Sequence, residues 1–172
     1  SQFLFDIQRR VDILLSGEFL PKYQAEVLKK AIVFVEEYLK NENLLWVYKL
    51  GDYTPWNVIL DEDGTVSIID LEYARPYWLV GWDVFHFVRS LGINVDVLNQ
   101  NWSVVKQYFI SLNVKSNLVG VLYVAYLVDL FTEWYESWRS AGVKPNGMAQ
   151  LEFRRLANAI LSAMRQSNLE GE

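Results

Sequence analysis

The sequence predicts an α+β fold that is mainly α-helical, with small β-hairpins beside a helical bundle. Apolar residues recur at helical spacing in two segments before residue 40 and in four segments after residue 81. Between them lie short apolar runs of strand length, two of which flank the turn sequence DEDG at 61–64. With 172 residues, 52% of them apolar, the chain suffices for one hydrophobic core, and a single domain over 1–172 is predicted.

Two amphipathic helices are predicted at the start of the chain. The first has apolar residues at helical spacing from Phe3 to Leu15, and Gly17 follows as a stop signal. The second starts at Pro21, which a first helical turn tolerates, and carries an apolar face that ends at Leu39. Both helices precede the strand-like segments.

The strand-like segments lie at 44–50, 58–60 and 66–69. The run LLWVYKL is short, apolar and aromatic, which favours a buried strand or an extended segment over a helix. The turn at 61–64 makes a hairpin of the next two runs. Beyond them, helical periodicity covers 82–91, 102–112, 118–140 and 148–165, with breaks at 92–94 and 142–147.

Composition excludes several classes of site. The formal net charge of −5, without a basic stripe, gives no expectation of nucleic-acid binding. The chain has no cysteine and one histidine, His86, so disulfides, thiolate metal sites and histidine clusters are excluded. The longest apolar run, 118–128, is shorter than the about 20 residues of a membrane-spanning helix. No membrane span and a cytoplasmic location are therefore expected.

Three polar residues stand at the ends of the predicted strands: Asp52, Asn57 and Asp70. Side chains at strand ends are delivered to the rim of the small sheet, and carboxylate and amide oxygens there suit a magnesium ion that also holds phosphate. The spacing D-x-x-x-x-N followed by a metal-binding Asp beyond a hairpin is that of a phosphoryl-transfer site. The alternative interpretation is that these residues merely cap turns and end a strand.

The motifs resemble a known family. The stretches GDYTPWNVIL and IIDLEYA look like the catalytic loop (50–57) and the metal-binding strand (65–72) of aminoglycoside phosphotransferases and choline kinases, which have a protein-kinase-like fold. The resemblance covers 45–90 and implies the C-terminal lobe of that fold. It implies that Asp52 is the catalytic base and that Asn57 and Asp70 bind the cofactors, magnesium and ATP or GTP. Glu72 would neighbour the metal or the substrate.

Further features of the chain bear on the resemblance. In WDVFHF, Asp83 stands where the family has an acid that braces the catalytic loop. The family usually has a histidine two residues before the catalytic acid, where this chain has Leu50. No G-x-G-x-x-G loop or V-A-I-K-like strand is present, so an N-terminal nucleotide lobe is expected in the same gene product or in a partner chain. A surface left uncovered by that lobe would favour self-association into a homo-oligomer.

Other candidate residues have two interpretations each. Phe131, Trp134, Tyr135 and Trp138 follow helical spacing, so they form a core stripe or, for Trp134 and Trp138 above all, line the acceptor pocket. Asp129, Glu133 and Glu136 are a solvated helix face or attract a cationic acceptor. His86 is interpreted as a core histidine and is left out of the predicted site.

The function predicted from these observations is that of a small-molecule kinase. It would transfer the γ-phosphate of ATP or GTP to a hydroxyl group of a sugar, aminoglycoside or amino alcohol, with magnesium. The alternative is a non-catalytic, kinase-like module that binds a ligand or a partner. A third hypothesis is a purely structural helical domain.

Overall fold

The computed structural model describes residues 2–17, 20–91, 95–142 and 146–170. Within these residues the helices are α1 (Gln2–Leu15), α2 (Lys22–Leu39), α3 (Trp82–Ser90), α4 (Val95–Ser111), α5 (Leu118–Ser140) and α6 (Gly147–Glu170). The strands are β1 (Trp46–Lys49), β2 (Val58–Leu60), β3 (Val66–Ile68) and β4 (Arg75–Leu79), and a 3₁₀ turn spans Pro55–Asn57. The predicted fold class, α+β and mainly helical, is confirmed.

The chain divides into two compact units. Unit 1 comprises Ser1–Glu42 and Gly120–Glu172, and unit 2 comprises Asn43–Val119. In unit 1, α1 packs on α2 and α2 packs on α6. The apolar faces that the spacing predicted for the first two helices are the buried ones, including Ile7, Val11 and Leu14 of α1.

An ion-pair network joins α1 to α5 within unit 1. Nη1 of Arg10 lies 2.6 Å from Oδ1 of Asp129, and Nη2 lies 3.2 Å from Oε2 of Glu136. Asp129 is fully buried. The interpretation of these acids as a solvated helix face is therefore wrong for Asp129, because this residue is buried. Its charge is compensated by Arg10 on another helix, which the residue pattern of α5 alone does not reveal.

Helix α5 is long and apolar enough to cross a membrane by length and composition. In the structure, however, 83% of its most apolar window is buried inside the protein. Phe131 and Tyr135 of the predicted aromatic stripe are buried, whereas Trp134 is 37% exposed. The core interpretation of the stripe is thus confirmed for the first two residues.

Unit 2 contains two separate antiparallel strand pairs. Strand β1 pairs with β4, and β2 pairs with β3 in the predicted hairpin. The prediction missed β4, which contains Pro76 and whose Tyr77 has φ of +59°. The pairing with β1 is irregular between Val47 and Lys49. Proline and a left-handed residue interrupt the alternation from which a strand is recognised.

Helix α3 packs on α4 in unit 2. Phe85 stacks on Phe109, with ring centroids 5.2 Å apart. Gly81 precedes α3 with φ of +88°, and a Cβ there would lie 1.9 Å from the Phe109 ring. Helix α4 begins at Val95, seven residues before the predicted start, because the polar run 99–101 hides the helical period; the predicted break at 92–94 lies outside the described residues.

Candidate functional site

The loop of residues 50–57 joins β1 to β2 and turns back on itself. Gly51 has φ of +94°, and a Cβ at this position would lie 2.5 Å from Cβ of Tyr73, so only glycine fits. Pro55 begins a single 3₁₀ turn, in which the backbone N–H of Asn57 donates to the carbonyl oxygen of Thr54 at 3.0 Å. The turn returns the chain towards Asp52 before β2 begins.

Asn57 holds Asp52 through both hydrogens of its side-chain amide. Nδ2 of Asn57 donates to the backbone carbonyl oxygen of Asp52 and to its carboxylate oxygen Oδ2, both at 2.9 Å. A primary amide has two N–H donors and one carbonyl oxygen. The donors are committed to Asp52, which leaves Oδ1 of the buried Asn57 as the atom that can ligate a cation.

Asp70 lies at the same end of the β2–β3 hairpin as Asn57. Val58 pairs with Ile68, and the next bond of the ladder runs from the N–H of Ile69 to the carbonyl oxygen of Asn57 at 3.0 Å. Asp70 follows directly with φ of +60°, a left-handed conformation, and is exposed. The structure thus brings together Asp52 and Asn57 by direct contact, and Asp70 and Asn57 by strand register.

Three acidic side chains influence the ionisation of the Tyr73 hydroxyl group. The pKa of Tyr73 is raised, first because the hydroxyl group bonds to Glu72, and further because of the charges of Glu72, Asp70 and Asp52. Glu72 is exposed next to Tyr73. Asp52, Asp70 and Glu72 thus all contribute to the raised pKa of this one phenol.

Asp83 braces the backbone of the loop from the first turn of α3. Its Oδ2 accepts from the N–H of Leu50 at 3.0 Å, and its Oδ1 accepts from the N–H of Gly51 at 3.2 Å. Burial raises the pKa of Asp83, while these two hydrogen bonds and the charge of Lys49 oppose the rise. This is the bracing contact that the resemblance implies.

His86, which the sequence interpretation left out of the predicted site, lies next to Asp52 in the structure. Its Nε2 lies 3.5 Å from Oδ1 of Asp52, and 18% of its side chain is exposed. Burial lowers the pKa of His86; the carboxylate of Asp52 opposes this, and Lys49 and Arg89 reinforce it. A signal was available: His86 is one helical turn beyond Asp83, so both side chains face the same loop.

Lys49 is a buried cation beneath the loop. Its side chain is 2% exposed, and Nζ lies 3.5 Å from the centroid of the Trp82 ring and 4.8 Å from that of Trp78. Trp82 in turn stacks on the His86 imidazole, with centroids 4.7 Å apart and an interplanar angle of 18°. The cation–π contacts and the stacking fix the position of the last residue of β1 against α3.

Trp134 and Trp138 lie on α5 in unit 1. Asp52, Asn57, Asp70 and Glu72 belong to unit 2. The expectation that the two tryptophans line the acceptor pocket stays a prediction.

The oxygen donors of unit 2 fit magnesium better than zinc. Within the described ranges, no three His, Cys, Asp or Glu side chains form a metal-binding group. Magnesium needs fewer protein ligands, because it keeps several waters and binds through one or two carboxylates together with substrate phosphates. The amide oxygen of Asn57 and the carboxylate of Asp70 would hold such an ion.

Comparisons of the chain with protein-family models, with curated protein sequences and with solved structures give no significant match. The resemblance to phosphotransferases therefore rests on the motifs within 45–90. The geometry around Asp52 is the independent support for a function.

Proposed function

We propose that the chain carries the catalytic lobe of a cytoplasmic, magnesium-dependent small-molecule kinase with a protein-kinase-like fold. The reaction is transfer of the γ-phosphate of ATP or GTP to a hydroxyl group of a sugar, an aminoglycoside or an amino alcohol. In this proposal Asp52 is the catalytic residue, and Asn57 and Asp70 hold the metal and, through it, the nucleotide.

One observation supports this proposal above the others. The Nδ2 group of Asn57 binds two oxygens of Asp52, so in this proposal the same residue fixes the carboxylate and keeps its own amide oxygen for a cation. A residue that merely caps a turn needs only one side-chain hydrogen bond, so that role does not explain both contacts of Asn57 with Asp52. Phosphoryl transfer requires both, because the acid must be positioned and the metal ligated side by side.

The chemistry follows from these positions. The acceptor oxygen forms a bond to the γ-phosphorus while the bond from that phosphorus to the bridging oxygen breaks, and the nucleoside diphosphate leaves. The proton of the acceptor hydroxyl passes to the carboxylate of Asp52. Each carboxylate oxygen keeps a second lone pair beside the contacts to Asn57 and His86, so the proton has a place to go. Bound magnesium would neutralise charge on the phosphates.

The test of ligand binding is thermal unfolding of the chain with and without MgATP or MgGTP. A ligand at about 100 times its Kd stabilises the native state by about 2.7 kcal/mol, which for a chain of this size raises Tm by about 5–10 °C. We expect such a rise in the wild type and its loss in Asp70→Ala. Glu62→Ala removes an exposed carboxylate from the turn of the same hairpin and should keep the rise.

A rise that survives Asp70→Ala contradicts the proposed metal site, and an unchanged Tm in the wild type contradicts nucleotide binding by this chain alone. The test of catalysis is nucleotide turnover by the protein as its gene encodes it. Asp52→Asn keeps the shape of the side chain but removes the base, and we expect turnover to fall by about 10²–10⁴-fold. Turnover of Asp52→Asn at the wild-type rate would contradict the assignment of Asp52 as the catalytic base.

A second candidate is a non-catalytic kinase-like module that binds a partner or a ligand. It is favoured by large apolar side chains that the strands of unit 2 expose, among them Leu60 at 71% and Tyr77 at 82%. Stabilisation by a ligand in the wild type and in Asp52→Asn, with turnover in neither, would support this candidate over the kinase.

A further inference from the structure

The two carboxylate oxygens of Asp52 meet different parts of unit 2. Oδ2 accepts from Asn57 at 2.9 Å, within the loop. Oδ1 lies 3.5 Å from Nε2 of His86, on α3. A carboxylate contacted at one oxygen still rotates about the bond to Cβ, whereas contacts at both oxygens select one rotamer.

His86 is itself held in place from two sides. Its ring stacks on Trp82, which is buried. The helix that carries both residues is tied to the loop by Asp83, which accepts hydrogen bonds from the backbone of Leu50 and Gly51. The distance from the imidazole to Asp52 is therefore set by α3 and not by a flexible side chain.

The charge state of His86 suits a hydrogen-bond donor. The charged and titratable groups that act on it are Asp52, Lys49 and Arg89, and burial outweighs the effect of Asp52 and lowers the pKa. At neutral pH the ring is accordingly uncharged, with one N–H donor and one acceptor nitrogen. With the proton on Nε2, the ring has an N–H group for the oxygen that lies 3.5 Å away, and catalytic contacts that are long without substrate often shorten when the substrate binds.

We propose that His86 is a positioning residue that holds the carboxylate of Asp52 in its reactive orientation. This inference rests on the proposed function for its catalytic meaning, but the contact itself stands on the geometry of α3 and the loop. His86 touches no reacting atom. It acts through Asp52, as the second of two groups that fix the rotamer.

The first test is nuclear magnetic resonance of the imidazole nitrogens in the whole chain. His86 is the single histidine of the sequence, so its signals need no assignment. We expect the proton on Nε2 at neutral pH, and a shift of the Nε2 resonance in Asp52→Asn but not in Glu62→Gln. A proton on Nδ1, or an Nε2 resonance that does not shift in Asp52→Asn, overturns the proposal.

The second test compares His86→Leu with His86→Gln in nucleotide turnover by the protein as its gene encodes it. Both variants lose the ring stacking, but Gln keeps an N–H donor near the position of Nε2. We expect Leu to lower kcat by about 10–100-fold with KM for the nucleotide changed less than about twofold, and Gln to restore at least about a third of kcat. Equal losses in both variants overturn the positioning role.

The proposed phosphoryl transfer and the proposed positioning role of His86 can be contradicted independently of each other. Wild-type protein without turnover, whose Nε2 resonance nonetheless responds to Asp52→Asn, supports the contact and contradicts phosphoryl transfer. Turnover that depends on Asp52 while the imidazole ignores Asp52→Asn supports phosphoryl transfer and contradicts the role of His86.

Discussion

At the scale of single residues, the loop depends on a backbone conformation that side chains oppose. Gly51 has φ of +94° and lies against Tyr73, with no room for a Cβ. Gly64 in the hairpin turn has a similar φ of +85°, but nothing lies within 4 Å of the place where its Cβ would be. Comparing the two glycines therefore separates the free-energy cost of a side chain at positive φ from the cost of a Cβ that clashes with Tyr73.

We expect Gly51→Ala to lower the free energy of unfolding by about 2–4 kcal/mol, because a methyl group must displace the backbone of Tyr73. Gly64→Ala carries only the conformational cost, about 1–2 kcal/mol. Urea unfolding of both variants measures the difference. Equal losses would mean that the contact with Tyr73 adds nothing.

The buried imidazole of His86 makes stability depend on pH. Its pKa is lowered from 6.5 by burial, so the unfolded chain takes up this proton at a higher pH than the folded chain does. The contribution to stability is fully present above pH of about 6.5 and is lost as the pH falls through the lower pKa of the folded state. We expect the stability of the wild type relative to His86→Gln to shrink on acidification, as measured by urea unfolding at neutral and mildly acidic pH. An advantage that grows instead contradicts the direction of the shift.

Sequence reasoning anticipated the local contact of Asp52 with Asn57 but not the distant contact of Asp52 with His86. Asp52 and Asn57 are five residues apart, so their spacing alone predicts that one loop brings them together. His86 is 34 positions beyond Asp52, and its partner is fixed by how α3 lies against the loop. A single histidine between two phenylalanines looks like a core residue until the position of Asp83, three residues earlier, is considered.

At the scale of secondary-structure elements, α3 holds the loop through one carboxylate. Asp83 accepts hydrogen bonds from two backbone N–H groups of the loop, those of Leu50 and Gly51. The helices and the hairpin were predictable, because periodicity and turn residues act locally. Strand β4 was not, because only its pairing with β1 stabilises an extended segment that contains Pro76.

We expect Asp83→Ala to destabilise the chain by about 2–4 kcal/mol, since the partly buried N–H groups of Leu50 and Gly51 lose their acceptor. Asp83→Asn keeps one acceptor oxygen and should lose about half as much. The measurement is urea unfolding, with hydrogen exchange of the two amides as a local readout. Exchange that is no faster in Asp83→Ala would contradict the bracing role.

The ion pair between α1 and α5 offers a second test at this scale. Arg10→Met removes the arginine that pairs with the buried carboxylate of Asp129, and we expect the free energy of unfolding to fall by about 3–5 kcal/mol. The double variant Arg10→Met with Asp129→Leu should be more stable than Arg10→Met alone, because no buried charge remains. A double variant as unstable as the sum of both single variants would show that the two residues are energetically independent.

At the scale of the whole molecule, large apolar side chains remain at the surface of unit 2. The hairpin exposes the directly paired residues Leu60 and Val66, at 71% and 57%. Contiguous exposed apolar surface of this kind marks an interaction site or drives association. The mainly helical fold class was predictable from composition and periodicity, whereas this surface was not, because alternation alone does not say which strand faces are covered.

We expect the isolated chain to self-associate reversibly, with a weight-average mass that rises with concentration in sedimentation velocity. The double variant Leu60→Lys and Val66→Glu introduces opposite charges at directly paired positions of the hairpin. It should reduce association at least about threefold. Val33→Lys, at an exposed apolar position of α2, is the control. Association unaffected by the hairpin variant would exclude that surface.

The hydrogen bonds from Leu50 to Asp83 also determine when the loop can be fixed during biosynthesis. The acceptor follows its donor by 33 residues in the chain. At a synthesis rate of about 5–20 residues per second, the loop is made about 2–7 s before the carboxylate that fixes it. During that interval the ribosome holds a chain with Asp52 and Asn57 already made but with neither Asp83 nor His86. The loop therefore gains its hydrogen bonds to Asp83, and Asp52 its contact with His86, only after α3 has been made.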